Sequence, residues 1–217
     1  MANNSLNVLG VMRGKIGNIV GIGRGSVQLY RAYLNKIKNP QTEGQLLTRA
    51  RFAALGRVAR AFSGAATLGF ARSKKSILST GMSTFMRKNW SAVSGVTPQE
   101  TEVDLTQLVV SDGNLPTPGF NSASMEQALQ VDVTFRADSD QPDADASDKV
   151  YIAVYQADLN GCVLGSPVLR SAQRAAVTVP SGWSGMRVHV YGFAIGGGTK
   201  NNGMRSRTTY LGSGTIV

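Results

Sequence analysis

The sequence predicts an α+β protein: an N-terminal β-hairpin and basic helices, followed by an antiparallel β-sandwich of immunoglobulin-like architecture. Three observations predict it. Glycines punctuate residues 10–33, a helical apolar period runs from about residue 42 to 90, and a two-residue period takes over after residue 102. The corresponding parts are a basic hairpin-plus-helices region, 1–96, and a β domain, 97–217, joined across residues 95–102.

In the first part, Ile16, Ile19, Val20 and Ile22 lie between glycines, and Val27, Leu29, Arg31 and Tyr33 share one parity. Two short strands joined at Gly23-Arg24-Gly25 account for this. Such a hairpin is not stable alone, so another subunit or the β domain is expected to hold it. Asn39-Pro40 opens a helix signal, with Thr42 and Gln45 spaced as a capping box. Leu47, Ala54, Val58 and Ala61 then fall on one helical face, with Leu55 and Phe62 at its edge. Arg49, Arg57 and Arg60 fall opposite, within about 80° of one another at roughly 100° per residue. Arg51 projects toward the apolar side. Ser63-Gly64 ends this helix. A second is expected over 68–75 and a third over 80–90, where Met82, Phe85, Met86 and Trp90 form an apolar stripe suited to core or subunit contact.

In the second part, strands are expected at 103–109, 129–135, 150–155, 162–164, 168–170, 175–179, 188–195 and 206–211. Leu129, Val131, Val133 and Phe135 alternate with polar neighbours, and no helical period intervenes between strands. The Cys…Trp…Cys framework of antibody domains is absent, so only the architecture is implied.

Charge is divided unevenly. The net charge is +10, but residues 1–90 hold 15 Lys and Arg against the single acid Glu43, and residues 91–217 hold 8 against 12 acids. That asymmetry points to a polyanionic partner for the basic half, or to acidic surfaces of sister subunits. The candidate nucleic-acid-binding residues are Arg49, Arg57, Arg60, Lys74, Lys75, Arg87 and Lys88, contacting backbone phosphates without sequence preference. Arg72 adds to the same charge.

No catalytic constellation is legible. His189 is the only histidine and sits mid-strand, with no nucleophile motif beside it. Cys162, the only cysteine, follows a turn glycine and reads as a small apolar residue. Gly21-Ile22-Gly23-Arg24-Gly25 lacks both the dinucleotide fingerprint and the Gly-Lys-Ser/Thr ending of a phosphate loop. Asp138, Asp140, Asp143, Asp145 and Asp148 lack the glycine and terminal glutamate of a calcium hand, and read as a solvated loop. These readings imply no enzyme, no cofactor and no metal. A lone cysteine, no leader-like start and no long apolar run imply a cytoplasmic origin without a membrane span.

Several short motifs carry a resemblance. They are Gly14-Lys15-Ile16-Gly17-Asn18-Ile19-Val20-Gly21, then Asn39-Pro40-Gln41-Thr42 ahead of Arg51-Phe52, Asp148-Lys149 leading to Val154-Tyr155, Arg170-Ser171-Ala172, and Gly182-Trp183-Ser184-Gly185 with Val188-His189-Val190-Tyr191. Together they resemble a bacterial domain family of unknown function that occurs in multiple copies and is carried by phages and mobile elements. The resemblance implies a basic helical front and a β-sandwich back, and no activity. The acidic stretch 137–147 is longer than the resemblance leads one to expect. Joined to the charge split, the resemblance implies a virion structural protein, capsid or capsid-associated, made in the bacterial cytoplasm. Its expected partners are copies of itself or other virion proteins, and nucleic acid. The alternative is a cellular protein that coats nucleic acid without sequence preference.

Overall fold

A computed structural model describes residues 13–24, 27–35, 39, 41–70 and 80–217. The chain forms two compact units, the first within residues 1–42 together with 73–78, the second covering 43–72 and 79–217. Each has its own logic.

The first unit is an antiparallel sheet of β1 (Gly14–Ile16), β2 (Ile19–Arg24) and β3 (Val27–Ala32) in that order. The expected pairing about residues 23–25 is present, with Gly23 opposite Gln28 and Ile19 opposite Ala32; Gly25 itself lies outside the described residues. A third strand, unforeseen, joins through the Gly17-Asn18 turn, which sets Ile16 opposite Ile19. The Lys15 ammonium sits 3.6 Å from the centre of the Tyr33 ring. Ile16, Ile19, Ile22, Leu29, Tyr30, Tyr33 and Leu34 are all exposed, so this sheet encloses no core of its own.

The second unit is α+β. Its helices are α1 (Glu43–Ala61), α2 (Ser63–Gly69) and α3 (Gly81–Lys88). A short ladder of β4 (Val93–Ser94) and β5 (Glu102–Val103) follows them. Then come β6 (Gly119–Ser124), β7 (Gln130–Arg136), β8 (Lys149–Gln156), β9 (Gly161–Leu164), β10 (Val168–Leu169), β11 (Arg174–Thr178), β12 (Arg187–Ile195) and β13 (Thr209–Thr215). One sheet has the order β10-β8-β12-β13, with β9 continuing the β10 edge of β8; another has the order β11-β7-β6, and all these pairings are antiparallel.

The five-stranded sheet is apolar on both faces, as the two parities of β8 and β12 dictate. Val150, Ile152, Val154, Val188 and Val190 meet Val131, Val133, Ala175 and Val177 of the three-stranded sheet. Ala153, Tyr155, Tyr191 and Phe193 point the other way, into a core completed by Leu55, Val58, Phe62, Ala66 and Phe85 from the helices. The helices therefore belong to the β body. The two units divide near residues 42 and 43, whereas the composition change suggests 96 and 97. Charge marks a change of surface; buried apolar contact decides what folds together.

Helix boundaries differ from expectation for local reasons. α2 spans Ser63–Gly69 and stops because Phe70 turns extended, to bridge Asp112; residues 71–75 of the expected second helix lie outside the described residues. α3 is capped by Thr80, whose hydroxyl accepts from the Ser83 amide while the Ser83 hydroxyl oxygen accepts from the Thr80 amide. A side chain on Gly81 would lie 2.6 Å from the Ala66 carbonyl, so only glycine lets α3 approach α2 this closely. Of the strand expected over 103–109, only Val103 pairs in a ladder, at the end of Glu102–Val103; residues 105–107 make a helical turn, capped by the Asp104 carboxylate accepting from the Thr106 amide at 2.9 Å.

Candidate functional site

α1 buries Ala54, Leu55, Val58 and Ala59. Phe62, just past its end, is fully buried, with its ring centre 5.0 Å from that of Tyr155, 5.3 Å from Tyr191 and 5.7 Å from Phe85. Leu55 and Phe62, placed by periodicity at the edge of the apolar face, thus stand at its centre. The rotation carries Arg49, Arg57 and Arg60 outward, where all three are exposed.

The end of α3 is tied to the segment at Val109 by polar contacts. The buried Asn89 amide donates to the Phe85 carbonyl at 2.9 Å and the Val109 carbonyl at 2.8 Å, and its oxygen accepts from the Val109 amide at 2.6 Å. Arg87 of α3 is exposed. Lys88 is ion-paired with Asp112 at 2.5 Å, an engagement that the lack of local acids did not suggest. Lys74 and Lys75 lie outside the described residues. Arg51 is half-buried and donates to the Gly95 carbonyl at 2.7 Å, in keeping with its inward placement.

Of the seven basic candidates, the structure brings Arg57, Arg60 and Arg87 to one place. Between them lie two adjoining hollows of about 670 and 500 Å³ that share Phe52, Met82 and Met86. Arg57 and Arg60 line one and Arg87 the other, where Trp90 also borders. Phe52 is 61% exposed and Trp90 39%. Weighing the arginines against the buried face alone misses Phe52, Ala53 and Gly56, yet the helical period carries the signal. At roughly 100° per residue they fall within about 60° of Arg49, on the same outward side.

A comparison with protein-family models finds one described as a family of unknown function, DUF6266, which matches residues 11–212. The chain belongs to the DUF6266 family. No curated protein matches it. The resemblance drawn from the short motifs is thereby placed on nearly the whole chain, and membership brings no assigned chemistry.

The remaining polar candidates of this DUF6266 chain have structural settings. His189 Nδ1 lies 2.9 Å from the Tyr210 hydroxyl, and burial, then nearby Arg187, lowers its pKa below the usual histidine value. Burial pushes the Cys162 thiol up to about 12. Asp148 corrects the solvated-loop reading. It is fully buried, 3.0 Å from the Nε of a fully buried Arg170, and accepts from Asn201 at 2.7 Å and from the Gly197 amide at 3.1 Å. Arg170 Nε is poorly aligned for a hydrogen bond, so the contact is chiefly coulombic; its Nη atoms donate to the Ala137 and Pro116 carbonyls at 3.1 and 2.5 Å. Asp145 is held below the usual carboxylate range by the Ser147 hydroxyl and amide. Among the described residues no group of three or more His, Cys, Asp or Glu could hold a metal ion, and no helix is long and apolar enough to cross a membrane.

Proposed function

We propose that this chain is a non-catalytic structural protein of a virion, capsid or capsid-associated, whose basic face meets nucleic acid phosphates or neighbouring subunits. One observation carries the reading. Arg49, Arg57, Arg60 and Arg87 project outward from helices that are rigidly packed on a β body, in a part of the chain where acids are nearly absent. Fixed cations presented this way neutralise phosphates without reading bases. The exposed apolar side chains of the β1–β3 sheet support assembly, because a surface of that kind is stable when another molecule covers it. The finer fold reading belongs to the same proposal. The paired sheets sharing Val131, Val133, Ile152 and Val190 make an immunoglobulin-like sandwich, preceded by the hairpin and basic helices.

The native mass of the full chain, purified and treated with nuclease, tests the reading. A large oligomer that persists without nucleic acid is expected. A monomer that retards DNA would overturn the virion role and identify a cellular coating protein.

A further inference from the structure

The hollow between α1 and α3 offers a ligand apolar surface as well as cations. Phe52, Ala53, Gly56, Met82 and Met86 line it together with Arg57 and Arg60 of α1 and Arg87 of α3. Phosphates can meet these cations but leave Phe52, Met82 and Met86 uncovered. An amphipathic helix with acids on both flanks of an apolar stripe sets each group against its complement.

Three further observations fit a helix. Arg49, Ala53, Gly56 and Arg60 follow one another at intervals of four, three and four residues, the spacing of a helix–helix seam. A side chain on Gly56 would meet nothing within 4 Å. A mid-helix glycine lowers helix propensity, and among the described residues no neighbour requires it, whereas a closely approaching second helix would. The lining is also rich in methionine, whose flexible thioethers adapt to a partner's side chains.

The partner helix does not come from a second copy. The three helices among the described residues contain one acid, Glu43, so helices of two copies would oppose arginine to arginine. We infer that the α1–α3 groove is the docking site for an acidic amphipathic helix of a different protein. This rests on the reading of the chain as an assembly protein and names the chemistry of one partner.

The test uses the full chain and a designed helical peptide of about 18 residues, long enough to lie along α1, with leucines on one stripe and glutamates on both flanks. A peptide of the same composition with the stripe scrambled is the control. Trp90 fluorescence reports binding, since Trp183 is only 5% exposed. The patterned peptide should bind at least about tenfold more tightly than the scrambled one. Gly56→Leu, which fills the groove from a position with open space, should weaken it by at least about tenfold. Changing Arg57, Arg60 and Arg87 together to Gln should weaken it about tenfold at low salt. Equal binding of the two peptides, or no effect of Gly56→Leu in a variant with an unaltered melt, would overturn the inference. So would an oligothymidine that displaces the patterned peptide and loses its own affinity in Gly56→Leu, which would assign the groove to nucleic acid. Peptide binding as expected by a protein that remains monomeric would instead sink the assembly reading and leave the groove standing.

Discussion

Replacing Phe62 with alanine strikes the junction of helices and sheet. The ring is fully buried and touches three others, Tyr155 on β8, Tyr191 on β12 and Phe85 on α3. Truncating a buried phenylalanine costs about 3 to 5 kcal/mol in forfeited transfer energy and residual cavity. Rigid aromatic neighbours held by the Tyr191 hydroxyl bond to the Leu105 carbonyl and by the Asn89 hydrogen bonds collapse poorly into a void, which favours the upper half of that range. Stability of ordinary domains is about 5 to 15 kcal/mol, so a large share of it is at stake. With a urea slope of about 3 kcal/mol/M, the midpoint should fall by roughly 1.3 to 1.7 M. Phe52→Ala, ten residues earlier on the exposed face, should change stability by less than about 0.5 kcal/mol. Circular dichroism and near-ultraviolet signals should move together in one transition. The account of a shared core is refuted if the two variants unfold alike, or if Phe62→Ala melts the helices while the β signal keeps its original midpoint. By the same reasoning residues 97–217 alone, with Tyr155, Tyr191 and Phe193 uncovered, should fail to give a cooperative melt; a soluble, cooperative fragment would count against it.

Arg170→Met should cost about 3 to 5 kcal/mol in urea titration because it strands the buried Asp148 charge, and the paired change with Asp148→Asn should cost less than the single one; a single-variant loss under about 1 kcal/mol would contradict this. With its pKa raised to about 12, Cys162 should react with a thiol reagent at pH 8 roughly two to three orders of magnitude more slowly when folded than in urea, as thiolate availability dictates, and equal rates would refute the burial. His189 has its folded pKa lowered, so the unfolded chain binds the proton more readily. Stability should fall as pH drops below about 6.5, the unfolded value, toward the folded pKa, and His189→Gln should flatten that segment of the urea-midpoint profile, an unchanged profile being the contrary result.

The β body was largely legible because β7, β8 and β12 state their pleat in side-chain type: Val131, Val133 and Phe135 alternate with polar residues, and β8 carries valine and isoleucine on one parity with Tyr151, Ala153 and Tyr155 on the other. Doubly apolar strands signal cover on both faces, and that signal identified strands without revealing that the cover on one side is helical. The site was half legible. Helical spacing placed Arg49, Arg57 and Arg60 outward, but the partner of Lys88 is Asp112, across a long stretch of chain. Phe52 was placed on neither face, although helical spacing sets it on the outward side where it stands exposed. Asp148 read as loop because it closes a run of aspartates; its partner Arg170 comes from beyond three strands. β6 escaped notice since Gly119, Asn121 and Ser122 dilute its alternation.

The salt dependence of nucleic acid binding tests the proposed role of the basic face most directly. The full chain and a variant with Arg49, Arg57 and Arg60 changed to Gln would be titrated with the same duplex across a range of salt concentrations. Removing one phosphate-neutralising cation lowers the slope of log affinity against log salt by about 0.9 on duplex DNA. The account predicts a reduction of roughly two to three, uniform across duplex sequences, with folding unchanged. An unchanged slope in a folded variant would show that these arginines do not touch phosphates; a variant that fails to assemble in the absence of nucleic acid would assign the face to a neighbouring subunit.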